Sequence, residues 1–329
     1  MGKQLNVGVI GLGVMGQRML ARMAGHERLR AVSVWDANPD AVAQVRQRWP
    51  ELRIADSAES LIQESGLHSL YIATPPAAHM PLSNLAFDAG LSVFCEKPLT
   101  VDFDSARQTI ARISSEKRRA AVNFSLASSA GLSALQRAFG AASRLTLGQL
   151  QSVELELAFA AWPRPWQASA GAWLSQRGEG GMAREVLSHF IFAIQRVLGS
   201  CSVTSSAVDY PDDGQSAETG LKAELDASGV PIRIWARVGG GLADYNAMRW
   251  QASAGELELT EWFSQARERQ ADGSWRDLGQ GEAWRTAAHL DQLDQWVAMI
   301  EGRSHCLPGF AEALAAQETI EAILAGRAA

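Results

Sequence analysis

The sequence predicts an α/β protein. A doubly wound parallel sheet at the N-terminus leads into a C-terminal α+β domain built on a large open, mostly antiparallel sheet. Three observations predict it. A glycine triplet, Gly11-Leu12-Gly13-Val14-Met15-Gly16, joins an apolar strand to a helix. Apolar runs and helical segments then alternate as far as Phe124. Beyond that point the apolar residues switch to period two, as in Val153, Leu155, Leu157 and Phe159.

The first strand is read at Leu5 to Ile10, and the helix behind the glycines at Gln17 to Gly25, with Met19, Leu20 and Met23 on one face. Leu29 to Trp35 is the second strand and ends at Asp36. Helices are expected at Ala41 to Trp49, at Ser57 to Glu64 behind a serine cap, and at Met80 to Ala89 before Gly90. Strands are expected at Leu52 to Ala55, Ser69 to Ala73, Leu91 to Cys95 and Ala120 to Phe124, with a helix over Phe103 to Arg119. The boundary falls at 122/123, giving domains 1–122 and 123–329. In the second, strands alternate at Val153 to Phe159, Leu221 to Leu225, Ile232 to Val238, Tyr245 to Gln251 and Glu256 to Thr260, separated by glycine turns. Helices are read at Ala130 to Phe139, Met182 to Leu198, Thr286 to Ile300 and Phe310 to Leu324.

The glycines have distinct tasks. Gly11 permits a tight strand-to-helix turn, Gly13 lets a pyrophosphate approach the backbone, and Gly16 lets the helix pack on the strand. Free N–H groups at the helix start attract phosphate. Asp36 stands 20 positions after Gly16. There it can accept ribose hydroxyls and repel a 2′-phosphate, which favours NAD over NADP.

Composition narrows the setting. The 329 residues carry a net charge of −6, with 47% hydrophobic and 20% charged residues. This is ordinary for a soluble globular chain and unlike a general nucleic-acid binder. No apolar run reaches a membrane span and no signal-peptide pattern opens the chain. Cys95, Cys201 and Cys306 are scattered and odd in number, as expected of reduced thiols in a cytoplasmic protein; no metal site is expected.

Two further stretches can carry chemistry. Cys95-Glu96-Lys97-Pro98 ends a parallel strand, where open α/β sheets bind ligands. Lys97 is there either a ligand to a substrate oxygen or a solvated turn residue. In the expected helix from Met182, Glu185 and His189 are four apart on one face. They form either a proton-carrying pair or a surface pair. Val186, Phe190 and Ile194, with Leu187, Ile191 and Leu198, form the packed side. Trp162, Trp166 and Trp173 precede that helix; they offer aromatic faces to a sugar ring or pack the loop.

Taken in order, the glycine loop, Ala73-Thr74-Pro75-Pro76 with His79, Glu96-Lys97-Pro98, and a Gly-Gly loop before an acidic-x-x-x-His helix resemble the Gfo/Idh/MocA oxidoreductases. The resemblance spans essentially the whole chain. It implies a Rossmann domain joined to an α/β substrate domain, and NAD(P)-dependent oxidation or reduction of sugars or polyols. It also implies that Lys97 is the catalytic lysine and His189 the acid/base residue, with Glu185 in the place of a frequent Asp. Cofactor contacts are implied at Gly11, Gly13, Val14, Met15, Gly16, Asp36, Ala37, Thr74, Pro75, His79, Glu96 and Lys97. This chain departs from the family pattern at Leu187 and Phe192, and has Asn123-Phe124 where an Arg-Phe pair is common.

The expected function is hydride transfer between NAD and a hydroxyl or carbonyl carbon of a sugar, cyclitol or polyol. The alternatives are a reductase of another carbonyl or imine, and a nucleotide-binding regulator of the same fold. A β-hydroxyacid dehydrogenase is disfavoured because its second domain is all-helical. The outer face of the second sheet alternates Arg, Trp and small residues, so a homodimer or homotetramer is expected.

Overall fold

The computed structural model describes residues 3–140 and 147–328. The chain divides into two compact units. One comprises Met1–Phe124 with His289–Leu314, the other Ser125–Ala288 with Ala315–Ala329. The sequence reading placed a single cut at 122/123 and had no means of seeing the return of 289–314.

The first unit alternates strand and helix: β1 (Leu5–Ile10), α1 (Val14–Ala24), β2 (Leu29–Trp35), α2 (Pro39–Arg48), β3 (Arg53–Ile54), α3 (Ala58–Ile62), β4 (Ser69–Ile72), α4 (His79–Asp88), β5 (Ser92–Glu96), α5 (Phe103–Ser115) and β6 (Ala120–Asn123). The six strands run parallel in the order β3-β2-β1-β4-β5-β6. The order reverses between β1 and β4, and ligand crevices form at such a switch point. Local chemistry sets the helix starts. Asn38 accepts the Asp40 N–H at 2.9 Å, with Pro39 at the first helical position. Ser57 and Ser60 cap α3 reciprocally, and Asp102 accepts the N–H groups of Asp104 and Ser105. Helix α5 stops at Ser115, short of the expected Arg119, because Lys117 turns to φ +54° and redirects the chain into β6.

The second unit holds α6 (Ala130–Phe139), β7 (Leu150–Phe159) and α7 (Ser188–Leu198). Strands β8 (Ser202–Asp209), β9 (Gly220–Ala227), β10 (Val230–Val238), β11 (Tyr245–Ala252), β12 (Gly255–Thr260), β13 (Gln265–Arg269) and β14 (Trp275–Gln280) follow. Its eight strands lie in the order β14-β13-β12-β11-β7-β10-β9-β8, antiparallel except for the β7–β10 pair. Alternation is strict in β10: Ile232, Ile234 and Ala236 are buried while Arg233, Trp235 and Arg237 face out. Helices α8 (Glu282–Glu301) and α9 (Phe310–Leu324) end the chain, α8 starting four residues before the expected Thr286.

The expected single α-helix from Met182 is the main correction to the second unit. Ala183–Leu187 forms a π turn, and the α-helix begins only at Ser188. Val186, Leu187, Phe190, Ile191 and Ile194 are buried as expected, but Leu198 is half-buried. The core of the first sheet contains residues from the far end of the chain. Leu293, Trp296, Val297, Met299, Ile300 and Leu307 pack with Leu5, Val7, Val9, Tyr71 and Phe94. The Trp296 indole donates to Ser69 Oγ at 3.0 Å. Among the described residues no helix is long and apolar enough to cross a membrane.

Candidate active site

In the first unit the site is assembled at the switch point. Gly11, at φ +96°, leaves β1 so close to β4 that a Cβ there would sit 2.4 Å from the Ala73 carbonyl group. A Cβ on Gly16 would sit 1.9 Å from the Gly11 oxygen, so the first turn of α1 rests on the glycine loop itself. At Gly13, the N-cap, a Cβ would meet nothing within 4 Å. Two glycines are thus demanded by the protein's own packing. The third keeps the outer side of the helix start bare, as a phosphate-binding loop requires. Val14 and Met15 form the first, half-buried turn behind it.

Asp36 faces this loop from the end of β2. Its carboxylate accepts the Leu12 N–H at 2.5 Å and the Asn38 N–H at 2.7 Å. Two carboxylate oxygens offer about four lone-pair directions, so capacity remains for ribose hydroxyls. Beside it lies a cavity of ≈ 360 Å³ lined by Trp35, Asp36, Ala37, Val42, Arg46 and Asp56, among others. These residues fit the adenosine half of a dinucleotide.

The loops after β4 and β5 are tied together by His79, which is wholly buried. Its Nε2 lies 2.9 Å from the Thr74 carbonyl and its Nδ1 3.2 Å from that of Leu99. Burial pushes its pKa down, against the pull of these carbonyls. His79 therefore acts as a clasp beneath Thr74-Pro75 and not as an exposed ligand. Lys97 is half-buried and followed by Pro98 through a cis peptide. Glu96 is 4% exposed and its carboxylate turns inward, toward Tyr71, Asn123 and the Lys97 N–H.

The second unit presents the other candidates. Trp162 and Trp166 do not stand alone: with Phe159 and Trp262 they surround the Arg164 guanidinium, at 4.7 Å from the Trp166 ring and 5.1 Å from Trp262. The Trp162 indole donates to the Leu174 carbonyl, while Trp166 is exposed. Trp262 belongs to three consecutive left-handed residues, Glu261, Trp262 and Phe263, at φ +51° to +61°. Non-glycine residues hold this conformation only where their surroundings enforce it. Asn246 Oδ1 accepts the Trp262 N–H at 2.9 Å, and Phe190 packs on both Trp262 and Phe263. This bent segment thus contacts the residue next to His189.

The Gly180-Gly181 loop precedes the π turn. Trp173 is half-buried, and its carbonyl backs Gly180, where a Cβ would sit 2.3 Å away. Gly181, at φ +102°, lies over the Glu218 carboxylate; a Cβ there would sit 2.3 Å and 2.6 Å from its oxygens. Glu218 is 2% exposed and accepts the Ala183 N–H at 2.7 Å. Burial pushes its carboxyl pKa up, against the Ala183 N–H and the Arg184 charge. Arg184 itself is gripped by Glu321 through two bonds of 2.6 and 2.8 Å. The start of the segment carrying Glu185 and His189, both half-buried, is therefore clamped from below. The π turn widens the helix between them, a deviation frequent at functional sites.

Glu218, Arg164 and Trp262 were not anticipated as site residues. No local pattern announces Glu218 or Trp262, which meet their partners across the chain, whereas the signal for Arg164 was its place between Trp162 and Trp166 in sequence. Lys97 belongs to the first unit and Glu185 and His189 to the second, each in the setting described. Among the described residues no group of three His, Cys, Asp or Glu side chains is placed to hold a metal ion.

Comparison with known proteins agrees with this geometry. Residues 5–124 match the family described as an oxidoreductase family with an NAD-binding Rossmann fold. Inositol 2-dehydrogenase 4 of Saccharopolyspora erythraea is 29% identical over 126 residues, 37% of each chain. Inositol 2-dehydrogenase of Paracoccus denitrificans is 32% identical over 139 residues, 41% of each chain. The alignment thus spans about two-fifths of these relatives' length. The whole fold is shared more widely. An oxidoreductase from Agrobacterium radiobacter, solved with NAD+, L-tartaric acid and magnesium, superposes with a TM-score of 0.82 at 13% identity, covering 97% of this chain and 95% of the other. A 3-ketoreductase from Actinomadura kijaniata, solved with NADP and TDP-benzene, gives 0.78 at 18% identity over 98% of both chains.

Proposed function

We propose that this chain is a Gfo/Idh/MocA oxidoreductase, an NAD-preferring dehydrogenase acting on a cyclitol, sugar or polyol; the match of residues 5–124 to that family's Rossmann domain supports the reading. The observation that carries the reading is the glycine loop. Gly11 and Gly16 are excluded from bearing side chains by the protein's own backbone, while Gly13 is bare toward open space beside Asp36. The relatives named inositol dehydrogenases support the substrate class.

When bound, NAD supplies the hydride acceptor. The chain's residues do the rest. The first turn of α1, Val14 and Met15 included, receives the pyrophosphate, and Asp36 with Ala37 receives the ribose. Thr74 and Pro75, clasped by His79, border the nicotinamide side. Lys97 donates a hydrogen bond to the reacting substrate oxygen and favours its developing charge. His189 takes the hydroxyl proton, and Glu185 orients it. Trp162, Trp166 and Trp173 contribute aromatic faces to the substrate, and Arg164 adds a fixed positive charge among them. A second copy of the chain covers the outer face of the large sheet, where Trp235, Tyr245 and Trp275 are exposed, giving a dimer or tetramer. The unbridged Cys95, Cys201 and Cys306 fit a reducing, cytoplasmic setting.

The test pairs NAD calorimetry with NADH formation on a panel of cyclitols, sugars and polyols. Binding together with turnover supports the dehydrogenase. Binding without turnover on any member favours the regulator, and absence of binding defeats the nucleotide reading altogether.

A further inference from the structure

Behind Lys97, the core of the first unit contains polar side chains that the proposed reaction does not use. Arg22 on α1 approaches Gln292 on α8, its Nη1 3.5 Å from Oε1. Gln292 Nε2 donates to Asn123 Oδ1 at 2.8 Å, and Asn123 Nδ2 donates to Glu96 Oε1 at 2.6 Å. Tyr71 accepts from Asn123 at 3.1 Å and donates its own hydroxyl to Glu96. The second Glu96 oxygen accepts the Lys97 N–H at 3.3 Å. Gln292, Asn123, Glu96 and Tyr71 are all at most 4% exposed.

Every bond in this chain points the same way. It starts at a guanidinium, which can only donate, and ends at a carboxylate receiving three donors. Reversing either amide would set N–H against N–H. Tyr71 and Asn123 donate to one Glu96 oxygen and the Lys97 N–H to the other, an arrangement suited to the ionised carboxylate, which accepts only. Burial works against that charge and pushes the carboxyl pKa up, while Tyr71, Lys97 and Asn123 pull it down. A buried ion persists only when it is paired and fully hydrogen-bonded. Arg22, half-buried and with its other terminal nitrogen 2.9 Å from His289 Nε2, supplies the opposite charge through two amides.

We infer that Arg22, Gln292, Asn123 and Tyr71 form a polarised relay that holds Glu96 as a buried anion, and that Glu96 is a positioning residue fixing the peptide of Lys97. The inference rests on the reading of Lys97 as the residue that contacts substrate. Glu96 and Asn123 are register neighbours on β5 and β6, and Tyr71 lies on β4. The relay therefore locks the carboxyl ends of three adjacent strands to α8 just where Lys97 leaves the sheet.

The test uses a compensating pair. Glu96→Gln sets its NH2 against a donor whichever way the amide turns, the Asn123 amide on one side or the Lys97 N–H on the other. Adding Asn123→Asp restores complementarity, because the new carboxylate accepts from Gln292 and from the new Gln, but the anion has moved one strand away. Reductive 13C-methylation reports on the four lysines, Lys3, Lys97, Lys117 and Lys222, with Lys97→Arg identifying the signal of interest. The Lys97 methyl resonance is expected to move toward the solvated lysines in Glu96→Gln and to stay there in the double variant, while thermal stability returns in the double variant. Turnover on the panel substrate should fall about tenfold or more in both, with NAD affinity within about threefold. A Lys97 resonance unchanged in folded Glu96→Gln, or restored together with stability in the double variant, would overturn the inference. The resonance does not depend on turnover, so an inactive panel leaves this test intact. A Lys97→Ala variant of normal activity would remove the catalytic reading without touching it.

Discussion

Replacing Gly181 by alanine isolates the clamp under the Glu185–His189 segment. Two costs add. Alanine at φ +102° occupies a backbone region that side chains avoid, at about 1–3 kcal/mol. Its Cβ would also displace the Glu218 carboxylate, now 2.3 Å away, and break the bond to the Ala183 N–H. A charge-assisted bond of this kind contributes about 1.5–3 kcal/mol. The sum is roughly 2.5–6 kcal/mol, large against the 5–15 kcal/mol of a typical domain. The same loop provides its own control. Gly178 has open space around it, so Gly178→Ala should stay within about ±0.5 kcal/mol. Urea denaturation followed by circular dichroism measures both. In a Glu218→Ala background the Gly181→Ala cost should shrink to the backbone share of about 1–3 kcal/mol. Equal stability of Gly181→Ala and Gly178→Ala would refute the clamp.

Three other outcomes follow from the site. Asp36→Ala should narrow the preference for NAD over NADP, measured by calorimetry; tighter NADP binding by the unmodified chain defeats the argument. Lys97→Ala and His189→Ala should each lower turnover by about a hundredfold, with NAD affinity little changed, and near-normal rates in either would remove that residue from the mechanism. His79 is neutral in the fold because burial lowers its pKa from the ordinary 6.5. The unfolded chain binds that proton first, so the stability from neutral His79 is present above about pH 6.5 and declines as pH falls below it. The stability difference between the wild type and His79→Asn should therefore shrink on acidification from pH 7 to about pH 5, and a flat difference would contradict it.

What the sequence disclosed was local. The glycine loop, the Ser57 cap and the alternation of β10 depend on residues a few positions apart, and each appears where its spacing puts it. Strands β8, β13 and β14 escaped notice for a physical reason; β13, Gln265–Arg269, is polar but for the buried Ala266. Ser202, Thr204, Ser205 and Ser206 lack an apolar face, and Trp275–Gln280 is largely solvated, as befits the two edges of a sheet. The π turn was equally hidden, because Met182 to Leu198 keeps an apolar period that an uninterrupted helix satisfies as well. Glu96 was read as a cofactor contact from its neighbours in the motif. Its inward turn depends on Tyr71, Asn123 and Gln292, brought together from three other elements. Pairwise meetings across 169 residues leave no periodic trace.

The return of His289–Leu314 to the first unit bears on synthesis of the chain. Strands β1 to β6 leave the ribosome well before 289–314, and the face of their sheet that takes Trp296 stays uncovered until that later segment has been made. The second unit emerges while the first is still open. Closure of the first sheet is thus a late, long-range event, of the kind that slows folding and exposes apolar surface on the way. A fragment stopped after Phe124 carries the glycine loop and Lys97 but lacks Trp296, Leu293 and Gln292. A nascent chain of that length has the nucleotide motif without the wall that finishes its domain.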